Sequence, residues 1–226
     1  MKLFDLDSKF MYYANKFADL MWLNILTLVC CIPIITIGAS LTAMHRVLLA
    51  IYRDEESYIT RNFFKSFKEN FRQSTIIWLI YFVFIAVLGV DFWLIFKGGM
   101  ELSKVIKYAL GFVAIIVAFS FFWVFVLQSR YENKIMQTIR NSFVVGISHF
   151  TYSIMMIILS AIPIVAVALW EMAVPFVFLL GFTVPGILQT MLYSRVFDRI
   201  EGVDRKAAKK EDDGGTVELE EETENQ

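Results

Sequence analysis

Histidine, cysteine and proline are scarce in this sequence, and each scarcity removes something. Only two histidines, His45 and His149, and two cysteines, the neighbours Cys30 and Cys31, occur among 226 residues. Neither histidine has a Cys, His or carboxylate at metal-ligand spacing, and adjacent cysteines point to different sides of a helix. No metal or haem site is therefore expected. Neighbouring cysteines do not readily bridge each other either, so there is no disulfide framework to fix the fold or name a compartment. The phosphate-cradling glycine loop, the dinucleotide fingerprint and the nucleophile elbow are all missing. No enzyme is expected, hence no catalytic residue and no cofactor, and nothing points to nucleic acid. The opening MKLFDLDSKF has no apolar core and no small-residue cleavage site, so no removable signal peptide is expected and the first membrane segment does the targeting.

Apolar residues are what the chain has in excess. They make up 58% of it, with 22 Phe, against 19% charged. A soluble domain has roughly half apolar and a quarter charged. Here the apolar residues come in unbroken runs, the mark of an integral membrane protein. The reading is an all-α, polytopic helical membrane protein. Residues 1–200 form a single membrane domain, and 201–226 an acidic, solvated cytoplasmic tail. Leu20–Ile35 is the first segment, ended by Pro33 and Gly38, and Thr36–Tyr52 returns from it as a hairpin. Ile76–Phe96, Val105–Leu127, Phe150–Trp170 and Val174–Phe197 are four further spans, the last two joined by Glu171-Met172-Ala173. That gives six membrane segments, or five if Thr36–Tyr52 enters without crossing. Residues 8–19 read as a short interfacial helix before the first span, capped by Ser8.

Charge sets the orientation. With six crossings, 17 Lys and Arg fall on one side against three on the other, Lys97, Lys104 and Lys107, with Arg46 inside a helix. Cytoplasmic loops carry the excess of basic residues. Both termini are thus expected in the cytoplasm, in a cell membrane. With five crossings the N-terminus moves outside and the split falls to 14 against six.

The segment Tyr52–Trp78, YRDEESYITRNFFKSFKENFRQSTIIW, organises the rest. Phe63 or Phe64, Phe67 and Phe71 recur at three- and four-residue steps, with Arg61, Lys65, Lys68 and Arg72 among them. That spacing predicts an amphipathic helix lying on the anionic inner leaflet, Phe toward lipid and Lys/Arg toward water and phosphates. A second copy follows 79 residues on: Tyr131, Arg140, Asn141, Phe143, Phe150 and Ser153 repeat Tyr52, Arg61, Asn62, Phe64, Phe71 and Ser74. The whole then reads as three pseudo-repeated hairpins, each entered by a cytoplasmic amphipathic helix. Arg61, Phe64, Lys65, Phe67, Lys68, Phe71 and Arg72 are the candidate contact surface for a partner.

Polar groups inside a bilayer are costly, so each is a candidate for function. Asn24, Arg46 and Asp91 are the three. A contact between Asn24 and Arg46 is predicted from their similar depth, with Arg46 reaching to the cytoplasmic surface along its stem. Asp91 is expected at the outer boundary, hydrated or paired with Lys97, Lys104 or Lys107. A structural role weighs more than a transport role for all three.

The residues Ala18-Asp19-Leu20, Cys31-Ile32-Pro33, Thr36-Ile37-Gly38-Ala39-Ser40, Arg53-Asp54-Glu55-Glu56 and Ser66-Phe67-Lys68-Glu69-Asn70-Phe71 carry a resemblance. With SRYENKIMQTIRNSF, they make residues 5–200 similar to the YesL-like family, small multi-pass membrane proteins of Gram-positive bacteria and a domain of unknown function. The family has no established activity, so the resemblance supplies no site residue. Its genes tend to lie beside those for carbohydrate uptake, often with binding-protein-dependent sugar importers. This implies an accessory or regulatory role with a sugar ABC importer as partner, which is association rather than mechanism. Gly146 and Ile162-Pro163 only faintly echo an importer permease's ATPase-docking loop, whose acidic start is missing. A small transporter or channel in its own right is the alternative.

Overall fold

The computed structural model describes residues 9–55, 58–97, 103–200 and 202. The Ser8 cap and the acidic tail lie outside them. Packing divides the chain into two compact units, 1–190 and 191–226. The described residues form eight α-helices and no strand: α1 (Lys9–Cys31), α2 (Ile37–Tyr52), α3 (Ile59–Phe96), α4 (Lys104–Arg130), α5 (Ile135–Ser148), α6 (Phe150–Leu169), α7 (Val174–Leu180) and α8 (Thr183–Ile200). Four stretches are long and apolar enough to cross a membrane: Ile34–Tyr52, Ile59–Ile95, Lys104–Arg130 and Phe150–Leu169. The pair α7–α8, bent by 56°, makes a fifth if counted as one span. α1 is not among them.

The surface of these helices is apolar, unlike that of a soluble fold, and the interior between them holds many hydroxyls beside its apolar side chains. Val83, Phe84, Phe112, Ile158 and Ile164 are exposed, whereas Thr27, Ser40, Thr42, Ser74, Ser120, Ser142 and Ser153 are buried. Small and hydroxylated side chains let helices approach closely where lipid offers no hydrophobic contrast. The chain therefore has the build of a multi-pass membrane protein.

α1 and α2 form the expected hairpin. Its turn starts after Cys31, and Thr36 Oγ1 donates to Cys30 O at 2.6 Å and to Pro33 O at 2.7 Å. Ser40 Oγ donates to Thr27 O at 3.0 Å further along. At the open end Tyr12 donates to Asp54 at 2.7 Å, and Lys16 forms an ion pair with Asp54. Lys16 also donates to Ile51 O in the last turn of α2, where the dipole favours a cation. The starts of α1 and α3 thus lie at the same end of the molecule. Trp22 Nε1 donating to Thr60 Oγ1 at 2.8 Å repeats this.

Asp54 adopts a left-handed φ of 55°, which Asp tolerates better than most residues. Hydrogen bonds from Lys16 and Tyr12 hold its carboxyl below the ordinary carboxylate range. The tie is therefore complete above the ordinary value near 3.8 and is lost as pH falls through the lowered one. Asp54→Gly should remove the tie and keep the turn. Asp54→Ala also removes the tie but keeps a Cβ in the left-handed region, where Asp54 already has one, so it should melt below the glycine variant. The difference between the two melting temperatures measures the cost of that Cβ.

Two expected surface helices are not separate elements. Residues 9–31 are one helix, so the interfacial piece over 8–19 and the start of the first span are continuous. Likewise α3 runs unbroken for 38 residues, about 57 Å, nearly twice a hydrocarbon core. No break falls between Arg72 and Ile76 because neither Gly nor Pro interrupts the run. The third, α5, packs back along α4: Thr138 Oγ1 donates to Gln128 at 3.2 Å, Ser142 and Ser120 hydroxyls meet at 2.6 Å, and Gly146 approaches Phe119. The equivalents Ser74 and Ser153 are both buried and both bonded to the preceding long helix, through Thr42 and Trp123. Of the two stretches only the later one is broken, at His149.

In the second unit, of which 191–200 and 202 are described, Tyr193, Val196 and Phe197 are buried. The Tyr193 and Phe197 rings lie 5.5 Å apart.

Candidate functional site

α3 carries two opposed stripes. Ile59, Phe63, Ser66, Ser74, Ile77 and Tyr81 are buried at helical spacing. Phe63 belongs to the core cluster with Leu23, Val47, Leu48 and Ile51, so it faces protein, not lipid. Its ring stacks on Phe67 at 6.2 Å, and Phe67 meets Phe71 at 5.5 Å. Phe64 and Phe71 are each 39% exposed.

On the opposite side Arg61, Lys65, Lys68 and Arg72 recur at steps of four, three and four, and all are exposed. Continuing the same stripe gives Ile76, Leu79, Val83, Ala86 and Val90, also exposed. One face of one helix thus changes from wholly basic to wholly apolar between Arg72 and Ile76. Charges at the surface of a hydrocarbon core are expensive, which sets the stretch 59–72 apart from the apolar remainder of α3. Residues 76–96 are about 31 Å long, enough to span such a core.

Beside this half of α3 opens a polar cleft of about 1040 Å3, bounded by α2, the end of α4 and the turn into α5. Arg46, Glu69, Arg72, Arg130, Glu132 and Lys134 line it, together with Asn70, Gln73, Gln128 and Asn133. Arg46 is exposed between the buried His45 and Val47. Its Nη1 donates to Ser129 O at 2.9 Å, placing a guanidinium at the C-terminal turn of α4, where free carbonyls and the dipole favour a cation. Gln128 Nε2 donates to Asn70 Oδ1 at 3.1 Å, and Gln73 Nε2 donates to Asn133 O. Hydrogen bonds therefore fix the cleft's floor, and the ionic side chains sit around it.

Asn24 and Arg46 do not meet. Asn24 is fully buried, and its amide closes the break between α7 and α8. Nδ2 donates to Phe178 O at 2.7 Å, and Oδ1 accepts from Phe182 N at 2.9 Å and Thr183 N at 3.1 Å. The break at Gly181-Phe182 frees these backbone groups, and at such depth they need partners. The similar depth of Asn24 and Arg46 was the wrong basis for a pairing, since each had a closer backbone group to satisfy. Asp91 is half-buried near the far end of α3 and forms no ion pair with Lys97, Lys104 or Lys107. Of the three candidates only Arg46 reaches the cleft, where it joins Arg72 from the α3 stripe. No three His, Cys, Asp or Glu are grouped to hold a metal among the described residues.

The amides of the cleft are absent from the candidates read out of the sequence. Gln128 carried a signal, as a polar residue closing the run FWVFVL, but its partners Asn70 and Thr138 are distant in the chain.

Residues 20–92 match a family described as "Protein of unknown function, DUF624". The match takes in the second half of α1, all of α2 and nearly all of α3, and with them most of the motifs on which the YesL-like resemblance rests, but not Ala18-Asp19 or SRYENKIMQTIRNSF. It includes the α2 and α3 walls of the cleft and leaves out the α4–α5 side. No curated protein and no solved structure matches the chain.

Proposed function

We propose that this is a non-enzymatic accessory protein of the bacterial cell membrane that docks a partner through the basic half of α3 and the rim of the adjoining cleft. The observation that carries the proposal is the stripe Arg61, Lys65, Lys68 and Arg72, exposed on a helix too long to lie within the bilayer. Beside it Phe64 and Phe71 add apolar contact area, and aromatic residues with Arg are the usual anchors of an interface. The excess of basic residues supports a cytoplasmic position for this end, with Arg72 beside the anionic inner leaflet.

Lys16 bonded to Asp54 supports an N-terminus on that same side, which favours six crossings, α1 and α2 included, over the five-crossing arrangement with an external N-terminus. The buried pair Ser74 and Ser153 supports reading the chain as pseudo-repeats. Carbohydrate uptake, with a sugar ABC importer as the partner, comes from the family resemblance alone.

Site-specific photo-crosslinkers at Lys65 and Lys68 in native membranes test the docking. The expected capture is a discrete importer component at both positions, lost when Arg61 and Arg72 are changed to Glu. Capture of lipid and of other copies of this chain alone contradicts it.

The polar cleft of about 1040 Å3 is the one observation that favours a transporter instead. Against that reading, Asn24, Arg46 and Asp91 do not share a path, and the other large cavity among the spans is apolar. Arg46→Ala should therefore weaken the α2–α4 contact without changing solute flux across proteoliposomes.

A further inference from the structure

A second cavity, of about 540 Å3, lies among α2, α4, α6, α7 and the start of α8. Its origin is local. Pro163 removes a backbone hydrogen bond from α6, and the chain breaks at Gly181-Phe182 just before Pro185 in α8. Irregular helices leave the gap that straight ones would close.

The walls are Leu, Met, Phe, Val, Ile and Pro side chains, with three polar residues, His45, Ser160 and Gln189. Gln189 is 95% buried, being 5% exposed. Its Nε2 donates to Met156 O at 3.0 Å and to Ser160 Oγ at 2.6 Å. The acceptor-only carbonyl of Met156 fixes which end of the amide is which. Oε1 accepts no hydrogen bond from the described residues, and Gln189 lines the cavity. An open acceptor in apolar surroundings is costly, so its natural complement is a donor brought in by an occupant.

The outer faces of the same walls say where that occupant comes from. Ile164, Phe176 and Phe178 are 72%, 71% and 58% exposed, an apolar surface on a helix pair suited to lipid. The volume falls in the usual range for small-molecule sites. We infer that this cavity takes up a long-chain lipid bearing a free hydroxyl, whose chain fills the apolar space and whose O–H donates to Gln189 Oε1. The inference is independent of the docking proposal.

The test uses the full chain in nanodiscs of phosphatidylcholine and phosphatidylglycerol, with a photoactivatable long-chain alcohol as probe. Labelling is expected on peptides containing Phe121–Phe125 or Pro163–Val167. Unlabelled alcohol should compete about fivefold better than its methyl ether of equal chain length, the worth of one neutral hydrogen bond. Val167→Phe should abolish labelling by filling the space. Gln189→Leu should keep labelling and erase the preference for alcohol over ether. Equal competition by alcohol and ether on the unmodified protein overturns the inference, because a water molecule would then satisfy Oε1. Labelling that persists in Val167→Phe overturns it as well. The alcohol–ether comparison needs no variant, so a substitution that impairs folding does not blunt the test.

Discussion

Gly38→Ala should destabilise the protein by about 3 kcal/mol, the upper range for adding a methyl group to a filled core. A Cβ at position 38 would lie 2.4 Å from Ser74 O and 2.7 Å from Trp78 Cβ. Neither can yield cheaply. The first belongs to the backbone of α3, and Trp78 is held among the rings of Phe82, Phe121 and Phe125. α2 and α3 would have to separate, and the 3.0 Å bond between Thr42 and Ser74 would go with their contact. A fall of about 10 °C in the melting temperature in detergent is expected, by the usual conversion for a chain of this size. Gly111→Ala is the control: nothing lies within 4 Å of its added Cβ, and alanine is the better helix former. It should melt at or slightly above the parent temperature.

The second large effect is expected at Asn24→Leu, at about 4 kcal/mol. Leucine nearly matches the shape and adds apolar contact, but it strands Phe182 N, Thr183 N and Phe178 O at the break between α7 and α8. Unsatisfied buried groups cost about 1–3 kcal/mol each. Thr27→Val, one turn along α1, should cost under about 1 kcal/mol, because Thr27 Oγ1 only back-bonds to Leu23 O within its own helix. If both variants unfold at the same denaturant concentration, Asn24 does not hold the break.

Periodicity and hydropathy exposed most of the helical plan, because lipid-crossing runs and basic ends write themselves directly into residue order. Leu20–Tyr52 reads as a hairpin from Pro33 and Gly38, and the structure has it. Gly38 does not break the helix as read, being the second residue of α2, and the contact with Ser74 supplies another reason for it: only a missing side chain lets α2 sit on α3. What residue order hides is continuity and partnership. An amphipathic stretch followed by an apolar run looks like two helices, yet no Gly or Pro separates them in α3 and they are one. Phe63 and Phe64 cannot be told apart by type, since either fits the stripe. Their difference, core against surface, is set by Leu23, Val47 and Ile51 on two other helices. Asn24 was legible as a buried amide in need of partners, but those partners are backbone atoms 154 to 159 residues away. Gln189 shows the same limit, being read first as one residue of the last span and found on a cavity wall.

The central claim is that α3 passes straight out of the bilayer, so that its basic face and Phe64 and Phe71 stand in water at one end. Single cysteines along α3, in a chain carrying Cys30→Ala and Cys31→Ala, test this through their reaction with a membrane-impermeant maleimide in oriented vesicles. Positions 64, 68, 71 and 72 should react readily from one side only, and positions 79, 83 and 90 should not react from either. Protection at 64 and 71 with reaction at 68 and 72 would mean a helix lying in the headgroups, Phe side down, and would contradict the account.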